Sequence, residues 1–233
     1  MANWPANPNL IGKSIPRLDG LLKASGKAKY PSDVRPEGTL FGVMLYSPYA
    51  HAKVTSIDLS PAETMPGVKA VIGIAKAGTV LRYHGDDIAA VAAETEEQAR
   101  DAIRAIKVEY QVLPHVVTEA QSLAEGAPQV FQNGNVRRGR SQTKGKPDDA
   151  MAKAEVTSEG TYSVPLITHV CLEPHGLTVQ FEGDDKIVAW ASTQNVGGVA
   201  NDLAALFNLS PANVTVHTDY MGGGFGSKFN ADV

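Results

Sequence analysis

Between Leu40 and Leu113 the sequence twice sets a short helical pattern between runs of β-forming residues, and this alternation narrows the fold more than any other feature. "LFGVMLYS" (residues 40–47) and "AHAKVTSIDL" (50–59) are rich in β-branched and aromatic residues and are parted by Pro48 and Tyr49, which predicts two strands. Ser60, as N-cap, and Pro61, as first helical residue, then open a short helix that Pro66 and Gly67 end, and "VKAVIGI" follows as a strand. After a turn at His84 and Gly85 come a strand, "IAAVAAE", and a helix, "TEEQARDAIRAI", opened by Thr95 and Gln98 at capping-box spacing. "KVEYQVL" is the strand after it. Strand, strand, helix, strand, then strand, helix, strand is the order of an α+β domain, here ending near Pro128.

The 233 residues leave room for more than this unit. Residues 1–16, punctuated by Pro5, Pro8, Gly12 and Pro16, predict an extended arm lying over another surface. Residues 131–147 are almost free of apolar side chains and rich in Arg and Lys, so they form a basic linker or a solvated surface loop. Beyond them "EVTSEGTYSVP", "LTVQFEG", "KIVAWAST" and "NVTVHTDY" read as strands, with a helix from about Val196 to Phe207 between the last two. Residues 148–233 thus make a second α+β region.

A net charge of −4 argues against a polyanionic partner, whether nucleic acid or membrane surface. Cys171 is the only cysteine, which excludes an intrachain disulfide, a cysteine-held zinc site and a cysteine-held iron–sulfur cluster within the chain. The first twenty residues carry no export signal, and no run of about 18 apolar residues occurs. A soluble, cytoplasmic protein is expected.

The chain closes on "DYMGGGFGSKFNADV", four glycines around one phenylalanine. A Walker A loop needs adjacent Gly and Lys, but Ser227 parts Gly226 from Lys228; the dinucleotide fingerprint lacks its last glycine. What remains is a strand running into successive backbone N–H groups, a concavity suited to anionic oxygen or sulfur, or else a tight structural turn. Upstream, "WASTQN" places Gln194 at a strand end just before a helix, where it can cap that helix or donate its amide to a ligand held by the glycines. Glu173 and His175 in "LEPHG" are too few for a metal site and predict a hydrogen-bonded turn; the remaining histidines stand singly.

"MGGGFGSK", "STQN", "LEPHG", "SPYAHAKVTSIDLSPAETMPGVKAV", "GDDIAAVAAETEEQARDAIRAIKVEYQVLP" and the opening "GKSIPRLDGLLKASGKAKYPSDV" together resemble the molybdenum-binding large subunit of the xanthine dehydrogenase/aldehyde oxidase family. The resemblance covers nearly the whole chain. It implies an α/β hammerhead domain over residues 17–130 and the first, incomplete part of a molybdopterin-binding domain over 148–233. It further implies that Gln194 hydrogen-bonds an oxo ligand of molybdenum and that Gly223, Gly224, Phe225 and Gly226 lie beside the metal and the pterin, with no direct metal ligand from this chain. Two positions depart from the family pattern: Ser227 stands where glycine is usual, and Phe229 where a glutamate often follows the lysine.

The implied cofactor is molybdopterin with molybdenum, in the cytosine dinucleotide form. The implied reaction oxidises an aldehyde or N-heteroaromatic substrate with water-derived oxygen. The general-base glutamate and most pterin contacts belong to the family's later region, so no catalytic residue is expected in this chain and the isolated chain is expected to be inactive. The implied partners are the remaining molybdopterin-binding chain, a 2Fe–2S subunit and an FAD subunit. The alternative is a non-catalytic binding or scaffold module derived from the same family. On either reading the terminal loop should leave Met221, Phe225 and Phe229 uncovered.

Overall fold

A computed structural model describes residues 8–137 and 139–231. The chain forms two compact units, one from Gly38 to Tyr162 and the other from the residues up to Glu37 together with those from Ser163 onward.

The Gly38–Tyr162 unit carries two three-stranded antiparallel sheets. Strands β1 (Phe41–Tyr46), β2 (Ala52–Asp58), β3 (Val68–Gly73), β4 (Val80–Leu81), β5 (Asp87–Ala93) and β6 (Lys107–Val112) are arranged β1-β5-β3 and β4-β2-β6. Strand β5 is central because its alanines and valines accept neighbours on both edges, with Val91 opposite Val43 on one side and Val71 on the other. Thr95 and Gln98 form the expected capping box, which starts the helix Glu96–Ala105 and turns Ala99, Ala102 and Ile103 inward. Ala102 and Ile103 join Val54, Leu81, Ile88 and Val91 in one core.

The structure departs from three local expectations. Ser60 is not an N-cap: it is the first residue of the helix Ser60–Glu63, whose N-cap is Leu59, and its N–H and hydroxyl both donate to Asp58 Oδ1, at 3.0 and 2.6 Å. Strand β4 and the short helices Glu119–Leu123 and Pro147–Ala152 have too few residues to show a period and were not foreseen. The segment "EVTSEGTYSVP" is not a strand, because no ladder partner reaches it; Val156, Tyr162 and Val164 stand 86%, 91% and 87% exposed.

The second unit is built on β7 (Leu177–Glu182), β8 (Lys186–Ala191) and β9 (Val214–His217), ordered β7-β8-β9. Strand β8 pairs antiparallel with β7 and parallel with β9, so β8 and β9 need a crossover, which the helix Val196–Leu206 provides. Alternate β8 residues Ile187, Ala189 and Ala191 meet Val199, Leu203 and Ala204 of that helix. Residues 17–37 pack with this unit. Thr178 Oγ1 donates to the carbonyls of Pro31 and Val34 at 3.4 Å each, and the rings of Tyr30 and Tyr220 meet at 6.0 Å. The first seven residues of the predicted arm lie outside the described residues. Residues 9–18 are exposed, and a short helix, Gly20–Ala24, follows. Among the described residues no helix is long and apolar enough to cross a membrane.

Candidate cofactor site

Strand β8 carries the chain into Ser192 and Thr193, both buried, and then into Gln194, whose backbone N–H donates to the Lys228 carbonyl at 2.7 Å. Thr193 Oγ1 donates to the same carbonyl at 3.1 Å and accepts the Asn195 N–H at 3.0 Å. The helix that follows is capped by Asn195, whose Oδ1 accepts the Gly198 N–H at 3.0 Å. Gln194 is thereby released from the capping role that its position allowed.

Its side chain turns to the glycine loop. Gln194 Oε1 accepts the Gly226 N–H at 2.9 Å and lies 3.5 Å from the Lys228 nitrogen. Both partners are donors, so the atom facing them is the carbonyl oxygen, and the planar amide turns its NH2 away from them. That NH2 has no acceptor among the described residues. Gly224 is required by this approach, since a Cβ there would stand 2.5 Å from Gln194 Cδ.

The backbone N–H groups of Gly223, Gly224 and Phe225 likewise have no acceptor among the described residues, although Gly224 is buried. Phe225 holds φ at +51°, an uncommon backbone for an aromatic residue, and its ring is 71% exposed. Phe229 is also exposed, at 46%, while Met221 is half-buried. All five residues predicted for the site, Gln194, Gly223, Gly224, Phe225 and Gly226, thus fall in one place.

Below the loop lies a pair that sequence reading missed. Lys228 is fully buried, and its Nζ donates to the Glu173 carbonyl at 2.9 Å and to Ser192 Oγ at 2.6 Å, 3.6 Å from Glu173 Oε2. Glu173 Oε2 accepts the Gly222 N–H at 2.7 Å, and a Cβ on Gly222 would fall 2.6 Å from Glu173 Cβ. The pair therefore ties the "LEPHG" turn, the end of β8 and the glycine loop together. Ser227, unusual at its position, donates to the Gly224 carbonyl at 2.8 Å and meets His175 Nε2 at 3.2 Å. Lys228 stands 55 positions from the Glu173 carbonyl it binds, so no local pattern could have joined them.

A side-chain amide donor beside three unengaged backbone donors suits a ligand rich in oxygen acceptors. A molybdopterin-type cofactor, with metal-bound oxygens and phosphate, fits that donor set. No cluster of three or more His, Cys, Asp or Glu able to hold a metal ion occurs among the described residues.

Residues 25–80 and 77–114 match the family described as "Aldehyde oxidase and xanthine dehydrogenase, a/b hammerhead domain", and residues 129–233 match "Molybdopterin cofactor-binding domain". The nicotinate dehydrogenase large molybdopterin subunit of Eubacterium barkeri is 29% identical over 96% of this chain and 57% of its own length. A probable xanthine dehydrogenase subunit of Bacillus subtilis (strain 168) is 32% identical over 91% of this chain and 31% of its own. Among solved structures, quinoline 2-oxidoreductase from Pseudomonas putida 86 superposes with a TM-score of 0.82 at 27% identity, covering 93% of this chain and 31% of that one. The chain thus spans 31% of the length of two of these proteins and 57% of the third.

Proposed function

This chain belongs to the xanthine dehydrogenase/aldehyde oxidase family of molybdenum enzymes, and from that premise we propose that it supplies one wall of a molybdenum cofactor site in an enzyme that needs further chain to be complete. The observation that carries the proposal is the orientation of Gln194. Its carbonyl is held by the loop N–H groups, which leaves the NH2 to donate to an oxygen of a bound cofactor. The free N–H groups of Gly223, Gly224 and Phe225 support the same reading, as donors to the cofactor's other acceptors. When bound, the cofactor supplies two-electron oxidation with water as the oxygen source.

What this chain's own residues do is bind and orient. Gln194 offers a neutral donor that cannot compete as a ligand, and the glycines let the backbone approach closely. Phe229 offers no carboxylate at its position, and the role of general base is assigned to a glutamate elsewhere in the complete enzyme. The proposed substrate class is an aldehyde or an N-heteroaromatic ring. The proposed cofactor form is the cytosine dinucleotide, and the proposed electron path leaves through 2Fe–2S and FAD partner subunits. A reducing, cytoplasmic setting suits the single free cysteine, Cys171.

Metal analysis and mass spectrometry of the complex isolated from the source organism test the proposal. The expected result is molybdenum and pterin in a complex that contains this chain, with substrate-dependent dye reduction by the complex and none by the chain alone. A purified complex that turns over substrate without molybdenum would overturn it. Finding these residues only as the first part of one longer polypeptide would replace a separate subunit with a domain, leaving the cofactor site as proposed.

A further inference from the structure

The segment Ser163–Leu172 lies within the unit that carries the cofactor site, yet none of its backbone N–H or C=O groups is paired among the described residues. Its large apolar side chains face solvent: Val164 is 87% exposed, Leu166 101%, Ile167 81% and Leu172 97%. Backbone polar groups and apolar side chains left open together mark an element whose neighbour is another molecule or segment.

We propose that residues 163–169 form an edge strand that adds to a sheet of that part of a molybdenum-binding subunit which these residues do not span. The proposal rests on the functional reading above and deepens it by naming the docking surface. The occupant is chosen from coverage: this chain matches 31% of the quinoline oxidoreductase and of the Bacillus subtilis relative, so a complete subunit of that length holds further structure to cover an open edge.

The sequence settles which edge and which face are used. In a strand, residue i directs both its N–H and its C=O to one side, and residue i+1 directs them to the other. Pro165 has no N–H, so the edge served by Ser163, Pro165, Ile167 and His169 is broken. The intact edge is that of Val164, Leu166 and Thr168. The same even-numbered residues present Val164 and Leu166 to one face, the face that a partner sheet would bury. Val170, at φ +44°, turns the chain out of extended geometry and closes the strand at His169.

Hydrogen exchange of the complex isolated from the source organism, resolved to single amides, tests the assignment. The amides of Val164, Leu166 and Thr168 should slow by at least about a hundredfold in the complex relative to this chain alone, while those of Ile167 and His169 stay fast. Two proline variants provide a second readout in an already unpaired segment. Thr168→Pro should weaken association by about tenfold, the loss of one ladder bond, whereas Ile167→Pro should leave it within about twofold. Equal losses in both variants, or a complex in which the even-numbered amides remain fast, would overturn the strand. Burial of this segment in a homodimer, seen as light scattering that falls to monomer mass in Leu166→Asp, would overturn the assigned partner. A protected strand in a complex without molybdenum would refute the functional reading and leave the docking surface standing.

Discussion

Replacing Lys228 by methionine removes a charge from a site shielded from bulk solvent. The Lys228 side chain has no exposed surface and that of Glu173 only 8%. In the variant the carboxylate keeps the Gly222 N–H on Oε2, while Oε1, buried and already without a hydrogen-bond partner among the described residues, stays so. Ser192 Oγ and the Glu173 carbonyl each lose a donor as well. Methionine fills nearly the same space, so the cavity contribution is small and the cost is that of an uncompensated buried charge, roughly 3–5 kcal/mol. Trp190 on β8 reports this unit by fluorescence in a Trp4→Phe background. With a urea dependence of about 2 kcal/mol per molar, the midpoint should fall by roughly 1.5–2.5 M. Adding Glu173→Gln should recover about 2 kcal/mol or more of that loss, the signature of coupled neighbours. A loss below about 1 kcal/mol, the value for an exposed pair, would refute the reasoning.

Gln194→Glu keeps an oxygen for the Gly226 N–H but replaces the donating NH2 by a second oxygen; the complex should retain loop protection by hydrogen exchange while its dissociation constant for the cofactor rises by about tenfold, the equivalent of about 1.4 kcal/mol. The Ser60 hydroxyl, followed by the Ser60 N–H, holds the Asp58 carboxyl below its ordinary range. Asp58 therefore contributes stability that is present above its unfolded pKa and is lost as pH falls through the folded value. Ser60→Ala should raise the Asp58 pKa, seen by carboxyl NMR titration, and shrink that acid-side loss. Thr95→Ala removes the cap on Glu96–Ala105 and should cost about 1 kcal/mol by urea denaturation of the whole chain.

Local pattern was sufficient wherever a residue's role is decided by its near neighbours. Short apolar and β-branched runs bounded by turn residues marked β1, β2, β3, β5 and β6, because such runs suit a pleated, partly buried strand whatever it pairs with. Thr95 and Gln98 marked a helix start because both halves of the capping box lie within one turn. The glycine run was legible as a place of close backbone approach, because side chains there would clash in any fold. Tertiary structure decided what depends on distant partners. Whether Gln194 or Asn195 caps the helix turned on which of them the loop N–H groups held. Residues 155–165 have strand composition and no strand, because a ladder needs a second edge and none of the described residues supplies one. Only the approach of Glu173 and Ser192 across the fold makes the burial of Lys228 possible: a charge leaves water when it is paired and hydrogen-bonded, and its partners come from elements that folding alone brings together.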